Sequence, residues 1–134
     1  MPANVLEMRL VVTADDYAEA LAFYRDVVGL PQLAAFDDGA GHVTILDAGR
    51  ATLELSDVPH AEHIDAVEVG RRVAGHIRVA FEVPDAAAAT ERLTTAGATL
   101  IAAPTRTPWR SLNSRLEAPG GLQLTLFQND APEF

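Results

Sequence analysis

An internal repeat is the feature of this sequence that most constrains its fold. Residues 7–16, EMRLVVTADD, align without a gap with residues 76–85, HIRVAFEVPD. Near the end of each half, the LEL of residues 53–55 aligns with the LQL of residues 122–124. Both alignments give the same offset of 69 residues (76 − 7 and 122 − 53). A repeat of this length indicates that one supersecondary unit occurs twice.

The two halves have the same order of predicted elements. Alternating apolar and polar residues predict strands over 5–12 and 76–83. A helix follows each strand, with Asp16 and Asp85 as candidate caps. Short apolar runs then predict three further strands in each half, over about 32–36, 42–46, 51–56, 99–102, 110–116 and 122–127. We therefore predict an α+β fold in which two tandem βαβββ modules form curved mixed sheets around a cavity.

The repeat also divides the chain, which is long enough for one domain with its own core. We predict a single domain over 1–134, with module one at about 1–58 and module two at about 75–134. Residues 59–74 contain Pro59, several charges and no clean period. We interpret them as a linker that can include one turn of helix.

Composition excludes several classes of function. The formal charge of −9 argues against a nucleic acid or an anionic membrane as partner, because both need a cationic surface. With no cysteine, the chain has no disulfide, thiolate ligand or cysteine nucleophile. We find no signal peptide and no apolar run long enough to cross a membrane. We therefore expect a cytoplasmic protein whose partner is a small molecule.

Four polar residues lie at repeat-related positions on the first and last strands of the two modules: Glu7, Glu54, His76 and Gln123. Their apolar neighbours are expected to face the helices, so these four face the other way, onto the concave side of a curved sheet. Carboxylate, imidazole and amide groups together suit a divalent cation. Any one of them alone is also consistent with a solvated strand face. Their coincidence favours a shared site.

Two arginines, Arg9 and Arg78, follow these strand positions and are themselves related by the repeat. They can form structural salt bridges with nearby carboxylates, or they can bind an anionic substrate in a bidentate manner. The sequence leaves both interpretations open.

Further candidate binding residues lie in the second module. Asn113 and Arg115 alternate with leucines and are expected to line the same concave face. Trp109, which follows Pro108, is expected either to form a wall of the cavity or to fill the core.

The paired βαβββ modules, the FYRDVVGL of residues 23–30 and the APGGLQLTLF of residues 118–127 resemble the vicinal oxygen chelate superfamily. That superfamily includes glyoxalase I, methylmalonyl-CoA epimerase, extradiol dioxygenases and bleomycin-binding proteins. The resemblance implies metal ligands on the first and last strand of each module, which are Glu7, Glu54, His76 and Gln123 here. It also implies a divalent metal (zinc, nickel or manganese) and a homodimer.

This set of ligands is most similar to that of glyoxalase I-like lyases. Those lyases have a glutamate that acts as the catalytic base on the last strand, where this chain has Gln123. A carboxylate base must then be Glu54 or Glu7. The resemblance thus implies a metal-dependent lyase or isomerase that acts on a small carbonyl substrate through a metal-stabilised enediolate. The alternative is a metal-free small-molecule binding protein of the bleomycin-resistance type, in which Arg9, Arg78, Trp109 and Asn113 carry recognition.

Overall fold

The computed structural model of the chain describes residues 4–27, 29–37, 39–118 and 121–130. Val28 of the predicted first helix, and Pro119 and Gly120 before the last strand, lie outside the described residues. The strands are β1 (Glu7–Thr13), β2 (Gln32–Asp37), β3 (His42–Asp47), β4 (Thr52–Ser56), β5 (Ile77–Glu82), β6 (Thr99–Arg106), β7 (Ser111–Glu117) and β8 (Gln123–Asn129). The helices are α1 (Tyr17–Leu21), which continues as a π-helical segment (Ala22–Val27), α2 (Val58–Glu68) and α3 (Ala86–Thr95).

All eight strands form one curved open sheet in the order β2-β3-β4-β1-β5-β8-β7-β6. The first and last strands of each module are parallel, and β1 and β5 join the modules in antiparallel register. Leu10 lies opposite Val79, and the repeat offset relates the same two residues. A pseudo-twofold axis therefore passes between them. The predicted α+β fold with two βαβββ modules is confirmed.

The first helix of each module begins at its predicted cap. Asp16 accepts a hydrogen bond from the Glu19 N–H at 3.0 Å, and Asp85 accepts one from the Ala88 N–H at 3.0 Å. These bonds satisfy N–H groups that a helix start otherwise leaves without a partner. None of the helices in the described ranges is long and apolar enough to cross a membrane.

Helices α1 and α3 cover the same face of the sheet, one in each module. In the first module, buried Leu46, Leu53 and Leu55 pack against α1. In the second module, Leu116 and Leu126 pack with the alanines of α3. Because successive side chains of a strand point to opposite faces of the sheet, these leucines lie on the face covered by the helices, and the polar residues lie on the opposite, concave face.

The segment predicted as a linker instead forms the 11-residue helix α2, which covers the concave face. The prediction was wrong because the buried side of α2 includes the charged residues Asp65 and Glu68 beside Ala61 and Ile64. Apolar periodicity does not detect such a face. The start of the helix did carry a signal, since Asp57 caps it and Pro59 lies in its first turn.

Candidate functional site

A cavity of about 600 Å³ lies between α2 and the concave face of the sheet. Strand residues from both modules form its floor, and His60, Ile64 and Glu68 of α2 form its roof. Phe36 of β2 and the hairpin between β6 and β7 line its sides. The volume is in the range of pockets that hold small organic molecules.

The carboxyl-terminal end of α2 is held by a buried ionic cluster. Arg115 is completely buried and donates hydrogen bonds of 2.8 Å to both Asp65 and Glu68. Asp65 also accepts bonds from the N–H groups of Val73 and Ala74 at 2.8 and 2.9 Å. Burial would raise the pKa of the Asp65 carboxyl, but these backbone and arginine hydrogen bonds together lower it below its usual value. Asp65 is therefore held as a carboxylate, and the cluster fixes the position of α2 over the cavity.

The amino-terminal end of α2 is positioned by a close approach to Gly41. The cap residue Asp57 accepts a hydrogen bond from the His60 N–H at 2.9 Å. A Cβ at Gly41 would lie 2.3 Å from the His60 nitrogen and 2.5 Å from Asp57 Oδ1. Only glycine lets the chain before β3 come this close to the helix.

Arg78 is the buried cation of the cavity floor. Its side chain is only 9 % exposed, and Nη1 donates a hydrogen bond of 2.9 Å to Thr125 Oγ1. Among the described residues, no carboxylate lies close enough to Arg78 for an ion pair. Burial lowers the pKa of the Arg78 guanidinium, although the more distant Glu68 and Glu54 carboxylates act in the opposite direction.

Glu54 and Arg78 occupy one row across the sheet. Both are register partners of Val11, from the two strands that flank β1. The interstrand spacing puts their Cα atoms about 10 Å apart. The Glu54 carboxylate lines the cavity and forms no hydrogen bond within the described part of the chain. A cation and an anion thus face the same space without contacting each other.

Arg9 also lines the cavity, with a fixed orientation. Its Nε donates a hydrogen bond of 3.0 Å to Glu7, and its guanidinium carbon lies 4.6 Å from the centre of the Phe127 ring. The ion pair and the cation–π contact together hold this side chain.

Sequence comparison identifies the family of the chain. The family model of the Glyoxalase/Bleomycin resistance protein/Dioxygenase superfamily matches residues 8–126. The chain belongs to this superfamily. Among curated proteins, no sequence matches it significantly.

Several solved structures share the fold. A superfamily member from Vibrio splendidus 12B01 has a TM-score of 0.68 and 13 % identity, covering 92 % of this chain and 99 % of its own. Methylmalonyl-CoA epimerase from Mycobacterium tuberculosis has a TM-score of 0.68 and 20 % identity, covering 98 % of this chain and 94 % of its own. A hypothetical protein from Bacillus halodurans C-125 has a TM-score of 0.69 and 14 % identity, covering 94 % and 95 %.

Superfamily members commonly use divalent metals, but the four predicted ligands do not converge here. Of these four residues, only Glu54 lines the cavity. Glu7 binds Arg9, the His76 Nδ1 lies 3.1 Å from the Thr13 carbonyl oxygen, and Gln123 bonds to residues outside the cavity floor. Within the four described ranges, no three His, Asp or Glu side chains are grouped to hold a metal ion.

The cavity floor also has the wrong charge for a cation. The pseudo-twofold axis relates Arg9 to Arg78, and both line the cavity, whereas only Glu54 of the four predicted ligands does so. Two guanidinium groups repel a divalent metal, and arginine has no acceptor to offer it. The residues present therefore do not fit a metal ion in this arrangement.

The predicted substrate-binding residues separate into two groups. Arg9, Arg78, Trp109 and Asn113 line the cavity. Arg115 does not: it is fully buried in the ionic cluster and supports α2. The prediction for Arg115 was wrong because its partners lie on a helix that the sequence did not reveal.

The roof residues of α2 were missed for the same reason. His60, Ile64 and Glu68 recur at the four-residue spacing of one helix face. Together with the cap at Asp57, that spacing was the available signal.

Proposed function

We propose that this protein binds a small organic anion in its cavity, without a metal ion, and that Arg78 is the main anchor. One observation carries the proposal: the Arg78 guanidinium is buried with Thr125 as its hydrogen-bond partner and with no ion-pair partner among the described residues. Burying an unpaired charge costs several kcal/mol. A ligand carboxylate would offset that cost, since its two oxygens match the guanidinium fork.

The other charges of the cavity support an acid as ligand. Glu68 is already bound by Arg115 and Asn113, and Arg9 is bound by Glu7. Arg110 adds a further cation to the lining. This leaves Glu54 as an acceptor for a hydroxyl or N–H group of the same ligand.

Calorimetric titration with biphenyl-4-carboxylate and with succinate, in the presence of EDTA, tests the proposal. We expect the wild type to bind at least one of these acids and Arg78→Met to lose about tenfold or more in affinity, the loss typical of a charged hydrogen bond. Arg50→Met, which removes an exposed arginine outside the cavity, is the matched control. Equal affinities for Arg78→Met and wild type, or no binding of either acid, would overturn the proposal.

Metal analysis of the purified protein distinguishes this proposal from the metal-dependent lyase or isomerase predicted from the sequence. The protein is incubated with zinc, nickel and manganese, desalted and measured by mass spectrometry, alongside His76→Ala. We expect no stoichiometric metal in either protein. Stoichiometric metal in the wild type that His76→Ala loses would instead establish the glyoxalase-type site.

A second candidate function is proton transfer by Glu54. Methylmalonyl-CoA epimerase shares the fold, and the Glu54 carboxylate faces the cavity without a hydrogen bond from the described residues. A carbonyl acid held at Arg78 would place an acidic C–H group between the two side chains. Deuterium incorporation into pyruvate, followed by NMR, tests this: activity lost in both Glu54→Gln and Arg78→Met, but kept in Arg50→Met, supports it. Incorporation at the uncatalysed rate excludes it for this substrate.

Superfamily members often act as dimers, and we propose a cytoplasmic homodimer for this chain as well. The edge strands β2 and β6 carry exposed leucines, Leu33 and Leu100, at 45 % and 47 % exposure. Exposed apolar edges favour pairing with another chain. Analytical ultracentrifugation at increasing concentration tests this proposal, and a monomer throughout would contradict it.

A further inference from the structure

Trp109 lies at the side of the cavity and keeps 42 % of its surface exposed. It is the only tryptophan in the sequence. Its ring centre lies 6.3 Å from that of His63 on α2, with 54° between the ring planes. The helix therefore supports one part of the indole, while another part contributes to the cavity surface.

The hairpin tip that carries Trp109 is fixed by local hydrogen bonds. The Thr107 N–H donates to the Ser111 carbonyl oxygen at 2.9 Å, and the two side-chain hydroxyls lie 2.9 Å apart. Arg110 has a φ of 66°, a left-handed conformation that is unfavourable for a residue with a Cβ. Strained backbone of this kind is concentrated at ligand-binding sites, where the surrounding structure maintains it.

The distance along the cavity limits the size of the ligand. Thr125, which binds Arg78, and Asn129 both line the cavity and lie four residues apart on β8. Four residues of strand span about 13 Å. Ser111, at the base of the Trp109 hairpin, is the register partner of Asn129. The hydrogen-bond partner of Arg78 and the base of the Trp109 hairpin are thus separated by about 13 Å of strand, a spacing that favours a ligand longer than a single ring.

We propose that the ligand is an elongated aromatic acid whose acid group binds Arg78 and whose distal planar ring packs against Trp109. This inference rests on the proposed function and specifies its ligand class. Phe36 and Phe127 add further aromatic surface to the same cavity. Planar rings gain more from an aromatic wall than saturated rings of similar size, because of their favourable quadrupole contacts.

Two acids that differ only in the distal ring provide the test. Biphenyl-4-carboxylate has a planar distal ring, and 4-cyclohexylbenzoate has a puckered, saturated one. Calorimetry gives the ratio of their affinities, and quenching of the single tryptophan shows whether the ring reaches Trp109. We expect the wild type to bind the biphenyl acid about fivefold more tightly, within the range known for aromatic pairs.

Variants assign that preference to the indole. In Trp109→Leu, which keeps an apolar side chain, we expect the two affinities to become equal within about twofold. Leu122→Ala, at an exposed position outside the cavity, is expected to keep the wild-type ratio. If Trp109→Leu keeps the preference, or if the wild type binds both acids equally, the ring assignment is wrong while acid binding at Arg78 stands. If neither aromatic acid binds but succinate does, only the ligand class assigned here is wrong. If succinate does not bind either, the proposed function itself fails.

Discussion

Arg78 and Arg115 are two buried arginines on either side of Thr125. The Arg78 Nη1 donates a hydrogen bond of 2.9 Å to Thr125 Oγ1, and Arg115 is the register partner of Thr125 on β7. Arg115 contacts two carboxylates at 2.8 Å, whereas Arg78 forms no ion pair within the described residues. Two guanidinium groups on strands separated by β8 thus differ in their partners: Arg115 is ion-paired within the fold, and Arg78 is bound by a hydroxyl group.

Arg115→Met is expected to destabilise the protein strongly. The substitution leaves the buried Glu68 carboxylate without its cation and Asp65 with only its ion pair to Arg72, and breaking a buried pair in this way costs about 3–5 kcal/mol. Urea denaturation of wild type and variant measures the change in the free energy of unfolding. A loss below about 1 kcal/mol, the usual value of an exposed ion pair, would contradict the buried cluster.

Arg78→Met is expected to have the opposite effect on stability. It replaces a buried charge that lacks an ion-pair partner with an apolar side chain of similar length, which we expect to raise the free energy of unfolding by about 1–2 kcal/mol. The same variant is expected to lose acid binding. Urea denaturation in ligand-free buffer gives the sign of the change in the free energy of unfolding. A decrease for Arg78→Met would show that Arg78 stabilises the fold.

Stability is expected to fall in acid because of Asp65. Its pKa is lower in the folded protein than in the unfolded chain, so its contribution is fully present above the unfolded value of about 3.9. The contribution is lost as the pH falls through the lower, folded pKa. We expect Asp65→Asn to be less stable than wild type at neutral pH and to lose less stability below about pH 4. Parallel acid titrations by circular dichroism measure this, and identical acid transitions would exclude Asp65 as their cause.

Gly41→Ala is expected to disturb both stability and binding. The new Cβ would meet the His60 backbone at the start of α2, and relieving such an overlap costs about 1–3 kcal/mol in addition to the backbone strain. Gly39→Ala is the matched control: its φ is +87°, but nothing lies within 4 Å of an added Cβ. We expect thermal denaturation to show a larger loss for Gly41→Ala, and calorimetry to show weaker acid binding for it alone. If Gly41→Ala and Gly39→Ala changed stability and acid binding equally, α2 would have to shift without cost to accommodate the added methyl group.

Glu54→Gln is expected to tighten the binding of biphenyl-4-carboxylate. Glu54 places a negative charge in the cavity that receives the ligand carboxylate, so its removal reduces repulsion. A gain of about threefold to tenfold corresponds to the coupling expected at partly exposed sites. 4′-Hydroxybiphenyl-4-carboxylate, titrated in parallel, shows whether a hydroxyl donor changes that gain. Unchanged affinity for the unsubstituted acid would place Glu54 too far from the bound ligand to act on it.

The sequence pattern was sufficient to predict the two modules, but it was not sufficient to predict which side chains contact one another around the cavity. Alternation on β1 and β5 predicted which residues share the concave face, and Arg9 and Arg78 both line the cavity. It left open whether Arg9 pairs with a nearby carboxylate such as Glu7 on the same strand, and it did not predict that Gln123 turns to Arg115 on β7, since each side chain chooses among competing partners. A shared face is a property of backbone geometry, whereas convergence of side chains depends on competing contacts.

The sequence by itself determined the repeat, the two βαβββ modules and the helix caps at Asp16 and Asp85, because these depend on local periodicity and short-range hydrogen bonds. Only the tertiary structure decided which charges are paired. Helix α2 brings Asp65 and Glu68 to Arg115 across about fifty residues of sequence and leaves Arg78 without an ion-pair partner among the described residues. The function of a buried charge depends on its partners in space, and those partners are distant in sequence.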